Sequence, residues 1–214
     1  MARHSPPNLH RKTRAVREPK LGITIYCEGG NTEPDYFRRF AQEHGNRLVE
    51  VEIIGPAGVP MTLVRKAVQE AKRRRRKQRN SFEERDQIWV AFDADEHPNV
   101  PEAIRMAEEH QVSVAFSNPC FEIWGIVHLV DFEFNKPLHR HEAQRLLKTL
   151  MPKYDPHGAK VFDYPLLSPR YEAACKQAVN MDRRRTEEGS PAGNPFTSVH
   201  LLARLIEASG KPAA

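Results

Sequence analysis

The chain has 214 residues, with 29% charged and 39% hydrophobic side chains, which suits one soluble globular domain with an appendage and needs no disulfide or metal staple to fold. Its formal charge is +5, and no run of about 18 apolar residues exists to cross a membrane. The basic N-terminus is not followed by an apolar segment, which argues against a secretory leader, and three cysteines without metal-ligand spacing (Cys27, Cys120, Cys175) fit free thiols in a reducing cytoplasm.

Residues 1–19 contain Pro6, Pro7 and Pro19 without apolar periodicity, so they read as a disordered arm. Six basic residues (Arg3, Arg11, Lys12, Arg14, Arg17, Lys20) face one acid, Glu18, in the first 20 positions, and the remainder of the chain is charge-balanced. The whole net charge thus sits on the arm, where it favours polyanions through counterion release.

Residues 21–27, LGITIYC, form an apolar, β-rich run that predicts a buried strand. Gly29 and Gly30 break it, and Thr32 is placed to cap a helix over about 33–44 with Tyr36, Phe37 and Phe40 on one face. Residues 48–54 predict a second strand and 61–79 a long basic helix. Residues 87–92 predict a third strand ending at Asp93, followed by a helix over about 99–110. Residues 112–116 predict a fourth strand, with Pro119 opening the next helix at N1 and Ser117 or Asn118 as its cap. Alternation of strands and helices implies βαβ units and a mostly parallel sheet, four-stranded on this count. Beyond residue 131 only helices are predicted, over 139–150, 168–188 and 195–208. The expected organisation is therefore an arm (1–19), an α/β domain (20–130) and a helical C-terminal region (131–210).

Ligands of parallel α/β sheets bind outside the carboxyl ends of the strands, and two acidic motifs fall there. The first strand runs into Glu28-Gly29-Gly30 and the third into Asp93-Ala94-Asp95-Glu96. Mg²⁺ prefers oxygen ligands and keeps several waters, so Asp93 and Asp95 suffice as protein ligands, with Glu28 as a further ligand or a general base. An isolated Asp-x-Asp also serves as a capping and turn pair; it is the acids at two strand ends together that call for a cation. The helix after the fourth strand turns its free N–H groups toward the same rim, and Glu122 adds a carboxylate or completes a cap. Phe121 and Trp124 read as core. Lys72, Arg73, Arg74, Arg75, Arg76 and Lys77 form a basic helix end suited to phosphate contact, although four successive arginines wrap around a helix and do not all face one partner. His139, His141, His157 and His200 have no metal-ligand spacing. There is no P-loop and no Ser-His-Asp arrangement.

Four segments resemble the motifs of RloB-like proteins. They are Ile25-Tyr26-Cys27-Glu28-Gly29 with Thr32-Glu33 and Tyr36-Phe37; Phe92-Asp93-Ala94-Asp95; Ser117-Asn118-Pro119-Cys120-Phe121-Glu122-Ile123-Trp124; and Asn194-Pro195-Phe196-Thr197-Ser198-Val199, where Phe196 stands at a position expected to be smaller. The resemblance runs in order over roughly residues 21–208, and its third segment is the most specific. It implies a Toprim-related domain in which Glu28 acts as acid or base and Asp93 and Asp95 bind Mg²⁺; Gly29, Asn118 and Glu122 are read as supporting residues, and Mn²⁺ as the alternative ion. It also implies a role in restriction or phage defence. The leading expectation is a metal-dependent endonuclease acting on DNA or RNA, tRNA included, with a defence-complex subunit or a second copy as partner. Two other readings stand beside it: a phosphatase or phosphoryl or nucleotidyl transferase using the same acids, and a non-catalytic nucleic-acid-binding subunit.

Overall fold

The computed structural model describes residues 21–45, 49–77, 86–94, 97, 99–131 and 136–210. The basic arm, Asp95, Glu96 and Arg79 lie outside the described residues. The elements run β1 (Leu21–Cys27), α1 (Thr32–His44), β2 (Val49–Ile54), α2 (Pro60–Lys77), β3 (Gln87–Asp93), α3 (Val100–Glu109), β4 (Ser113–Asn118), α4 (Glu122–Leu129), α5 (Arg140–Leu150), α6 (Tyr164–Leu167), α7 (Tyr171–Glu187), β5 (Phe196–Thr197) and α8 (Val199–Gly210).

The strands form one sheet in the order β2-β1-β3-β4-β5. Pairings among β1 to β4 are parallel and β5 runs antiparallel to β4. The fifth strand is a correction to the four expected. Phe196 and Thr197 sit where a helix over 195–208 was expected, and two residues are too short for a readable strand period. They join the sheet because β4 extends two residues past the expected end at 116: Ser117 pairs with Thr197 and Asn118 with Phe196, and the Ser117 and Thr197 hydroxyls lie 3.2 Å apart. Ser117 and Asn118 are thereby committed to the sheet and do not cap a helix. The helix expected from Pro119 begins at Glu122, and its N-cap, Phe121, makes no side-chain capping bond. The helix expected over 168–188 begins as a 3₁₀ turn, Ser168–Arg170, before α7.

Helices α2 and α3 pack together against β3 and β4, and α1 with α8 against β2 and β4. The central strands carry runs of buried residues, from Ile23 to Cys27 in β1 and Ile88 to Phe92 in β3, as expected of strands covered on both faces. Helix α4 is buried from Glu122 to His128 and packs against α5, α6 and α7; an all-round apolar helix is stable only when enclosed in this way. Phe121 and Trp124 are core residues, as read from the sequence, at 3% and 0% exposure. Tyr36 binds α1 to this layer, its ring centroid 5.9 Å from Phe121 and 6.1 Å from Trp124. One apolar core runs from Ile23 to Ile206, so the regions 20–130 and 131–210 share it. Cys27, Cys120 and Cys175 are free thiols, all buried. No helix among the described residues is long and apolar enough to cross a membrane.

Candidate active site

The chain passes from β1 out to β2, then crosses back to place β3 on the other side of β1. The crevice at such a reversal, at the carboxyl ends of the strands, is the natural ligand site of an open α/β sheet. Glu28 and Asp93 stand on its two lips. The Glu28 N–H continues the ladder by donating to the Ala91 carbonyl at 3.0 Å. Its side chain then reaches across the crevice, where Oε2 accepts from the Asp93 N–H at 3.2 Å. Its other oxygen, Oε1, lies 2.8 Å from Nε2 of His97.

Two further carboxylates converge on the same point. Glu33 comes from the first turn of α1 and is 6% exposed; Glu122 opens α4 and is 4% exposed. Glu33 lies over the backbone of Gly29 so closely that a Cβ there would sit 2.5 Å from its Oε2. A side chain at position 29 would therefore push the Glu33 carboxylate aside. Burial pushes the Glu33 carboxyl up to about 7, with Glu122 and Glu28 adding repulsion, against hydrogen bonds from the N–H groups of Glu33 and Gly29. Asp93 is pushed well above the usual carboxylate range, first by burial, then by Glu33, Glu122 and Glu28. The N–H of Phe121, just before α4, donates to it and pulls the other way. Asp93 Oδ1 is buried and accepts no hydrogen bond. Glu122, by contrast, is held by the Tyr154 hydroxyl and by Gln144 Nε2 at 3.2 Å.

These acids line a cleft of about 300 Å³ whose far wall comes from the C-terminal region, through Arg140, Gly158 and Lys160. The acids are oxygen donors, repel one another and include one sealed oxygen without a partner, a donor set whose chemistry fits a hard divalent cation. Among the described residues no three His, Cys, Asp or Glu groups already stand together as a ligand set. Mg²⁺, however, needs only one or two protein carboxylates and keeps its waters.

Of the residues singled out from sequence, Glu28, Gly29, Asp93 and Glu122 meet at this cleft; Asp95 lies outside the described residues. Asn118 stands at the end of β4, where its Nδ2 donates to the Ala192 carbonyl at 3.1 Å, so it anchors the C-terminal loop instead of lining the cleft. The basic end of α2 is at the opposite pole. Arg75 bonds the His110 carbonyl at 2.7 Å and Gln111 at 2.8 Å, immediately before β4 begins. Arg73 and Arg74 both bond Glu70, at 2.6 and 2.8 Å, and hold its carboxyl down at about 2. Arg76 and Lys77 are exposed in this last turn, and Lys72 is exposed one turn before it.

Glu33, His97, Arg140, Gln144, Tyr154 and Lys160 were not assigned to the site from sequence. Glu33 was legible, since it falls on the stripe of Tyr36, Phe37 and Phe40, and an acid on the buried stripe of a helix needs a reason. The others lack such a signal, because distant segments bring them in. His139 and His141 are helix-start residues as expected: His139 caps α5 in a reciprocal arrangement with Glu142.

A protein-family model described as RloB-like protein matches residues 23–206. The chain belongs to the RloB-like family. No curated protein and no solved structure is matched. The match spans β1 through most of α8, so both walls of the cleft lie within this RloB-like chain.

Proposed function

We propose that this RloB-like protein is a metal-dependent nuclease that hydrolyses phosphodiester bonds of DNA or RNA in the bacterial cytoplasm, in an anti-phage role. The observation that carries the reading is the convergence of Glu28, Glu33, Asp93 and Glu122 from four elements at the switch point of the sheet. Folding four carboxylates together is costly unless a cation offsets their repulsion, and a phosphodiester is the substrate class that such a site serves. The three buried thiols support the reducing compartment. The defence role rests on the family alone.

Asp93 would hold Mg²⁺ or Mn²⁺, with Asp95 as the second ligand that the family resemblance implies. The chemistry such an ion would supply is polarisation of a phosphoryl group and a more acidic attacking water. Glu28 would serve as a further ligand or as the general base, and His97, 2.8 Å from its Oε1, keeps the carboxylate turned into the crevice. Tyr154 and Gln144 fix Glu122 as a rigid wall of the same cleft.

The test is cleavage of labelled DNA, total RNA and tRNA with Mg²⁺, Mn²⁺ or EDTA, comparing wild type with Asp93→Asn and Glu28→Gln. Metal-dependent cleavage lost in both variants is expected. Full activity in Glu28→Gln would overturn its assignment, and cleavage surviving EDTA would overturn the metal. Turnover of small phosphoesters without polymer cleavage would point to a phosphatase or transferase. Binding without turnover, insensitive to Asp93→Asn, would point to a non-catalytic subunit.

A further inference from the structure

A second cleft, of about 520 Å³, opens beside the acidic one and is lined by His97, Arg140, His141, Gln144, Pro156, His157 and Lys160. Its volume is within the ~300–1,000 Å³ range of small-ligand sites. Arg140 and Lys160 line both cavities, so the two are halves of one groove. Glu28, Glu33, Asp93 and Glu122 line the first half, and among the described residues no acid lines the second.

We propose that this basic half is the seat of the phosphate flanking the scissile bond, holding one nucleotide of a nucleic-acid strand while the neighbouring phosphodiester lies over Glu28 and Asp93. The inference rests on the nuclease reading above and adds where the polyanion is gripped. The charges come from two places on the C-terminal region. Arg140 is the first residue of α5, whose start is fixed by the His139–Glu142 cap. Lys160 closes a turn in which its N–H donates to the Asp155 carbonyl at 3.1 Å. Two described acids of these segments bond backbone: Glu142 accepts from the His139 N–H at 2.8 Å and Asp155 from the His157 N–H at 3.0 Å. Glu28 meets this half through His97, 2.8 Å from its Oε1. A guanidinium and an ammonium, flanked by imidazoles that donate hydrogen bonds, match a phosphate diester. The arginines of α2, at the other pole of the sheet, cannot touch the same nucleotide as Glu28 and Asp93.

The test separates binding from chemistry. Anisotropy of a fluorescent single-stranded oligonucleotide is titrated in EDTA at several salt concentrations, with the full chain. The variants are Arg140→Gln/Lys160→Gln, the charge-conserving Arg140→Lys/Lys160→Arg, and Arg74→Gln/Arg76→Gln on α2. Lys160 has φ +54°, and glutamine is no worse there than lysine. Unchanged far-UV circular dichroism and melting temperature show that each variant is folded. The expected result is a loss of about tenfold or more in affinity and a shallower salt slope, by about 1.5, for the double glutamine variant. The conservative pair should recover most of it, and the α2 pair should bind as wild type. Wild-type affinity in Arg140→Gln/Lys160→Gln, or a loss confined to the α2 pair, overturns the proposal even if the protein is a nuclease. Absence of any salt-dependent binding by wild type overturns it as well. Loss of cleavage in Asp93→Asn with normal oligonucleotide affinity leaves the groove standing and tests the nuclease reading separately.

Discussion

The two poles of the sheet both concentrate charge and treat it in opposite ways. At the amino pole, Arg73 and Arg74 close on Glu70, and Arg75 on the His110 carbonyl, so these cations find partners within the fold. At the carboxyl pole, four carboxylates line one cleft, burial and repulsion from the others push the Glu33 and Asp93 carboxyls up, and Asp93 Oδ1 is sealed without a hydrogen-bond partner. Charge that the fold pairs internally is worth little beyond local stability. Like charge held together against its own repulsion stores an interaction for something outside the chain. A run of arginines is therefore a weaker functional sign than two acids at adjacent strand ends, although it is far more conspicuous in the sequence.

The comparison breaks most visibly at Asp93. Asp93→Asn removes one of the mutually repelling charges while keeping the shape. Turnover is expected to fall about 10²–10³-fold, as when one preorganised electrostatic group is lost from a catalytic site, while the melting temperature in EDTA stays the same or rises. A measured fall in stability without loss of turnover would make Asp93 a structural acid.

The next effect is on pH dependence. Glu33 is raised from 4.5 to about 7 by burial first and by Glu122 and Glu28 second. A raised carboxyl binds protons more tightly in the folded chain, so its contribution to stability is complete below about pH 4.5 and is lost as pH rises through about 7. The loss is roughly 3 kcal/mol between these limits. Chemical unfolding in EDTA should show this decline, Glu33→Gln should flatten it, and Mg²⁺ should restore stability more at pH 8 than at pH 5. An equal Mg²⁺ effect at both pH values would separate the cation from these acids.

Smaller again is Tyr154→Phe, which removes one of the two donors holding the buried Glu122 carboxylate. A hydrogen bond to a charged group contributes about 1.5–3 kcal/mol, and that is the expected loss in a urea titration, with a partial loss of turnover. Smallest is Arg74→Ala on α2. This partly exposed side chain bonds Glu70 and Thr24, so about 1 kcal/mol or less should be lost and turnover should stay at the wild-type level. A large loss of turnover would place the amino pole in the functional machinery and remove the contrast between the two ends.

Much of the architecture was legible without coordinates, because its elements carry local signals. The buried runs at 21–27 and 87–92 mark central parallel strands whichever way they are ordered, and the Gly-Gly after Glu28 and the acid ending β3 mark strand ends where an α/β sheet binds ligands. Sequence by itself determined the family, the α/β class and the meeting of Glu28 with Asp93. Only tertiary structure decided the rest, since it depends on contacts between residues distant in the chain. A two-residue strand becomes visible once β4 offers Phe196 and Thr197 an edge. Tyr154 reaches Glu122 across 32 residues. Arg140 becomes a wall of the acidic cleft because α5 packs on α4, and Lys160 joins it from the segment between α5 and α6. Propensity and periodicity report the environment a residue needs, whereas the partner that supplies it is chosen by packing.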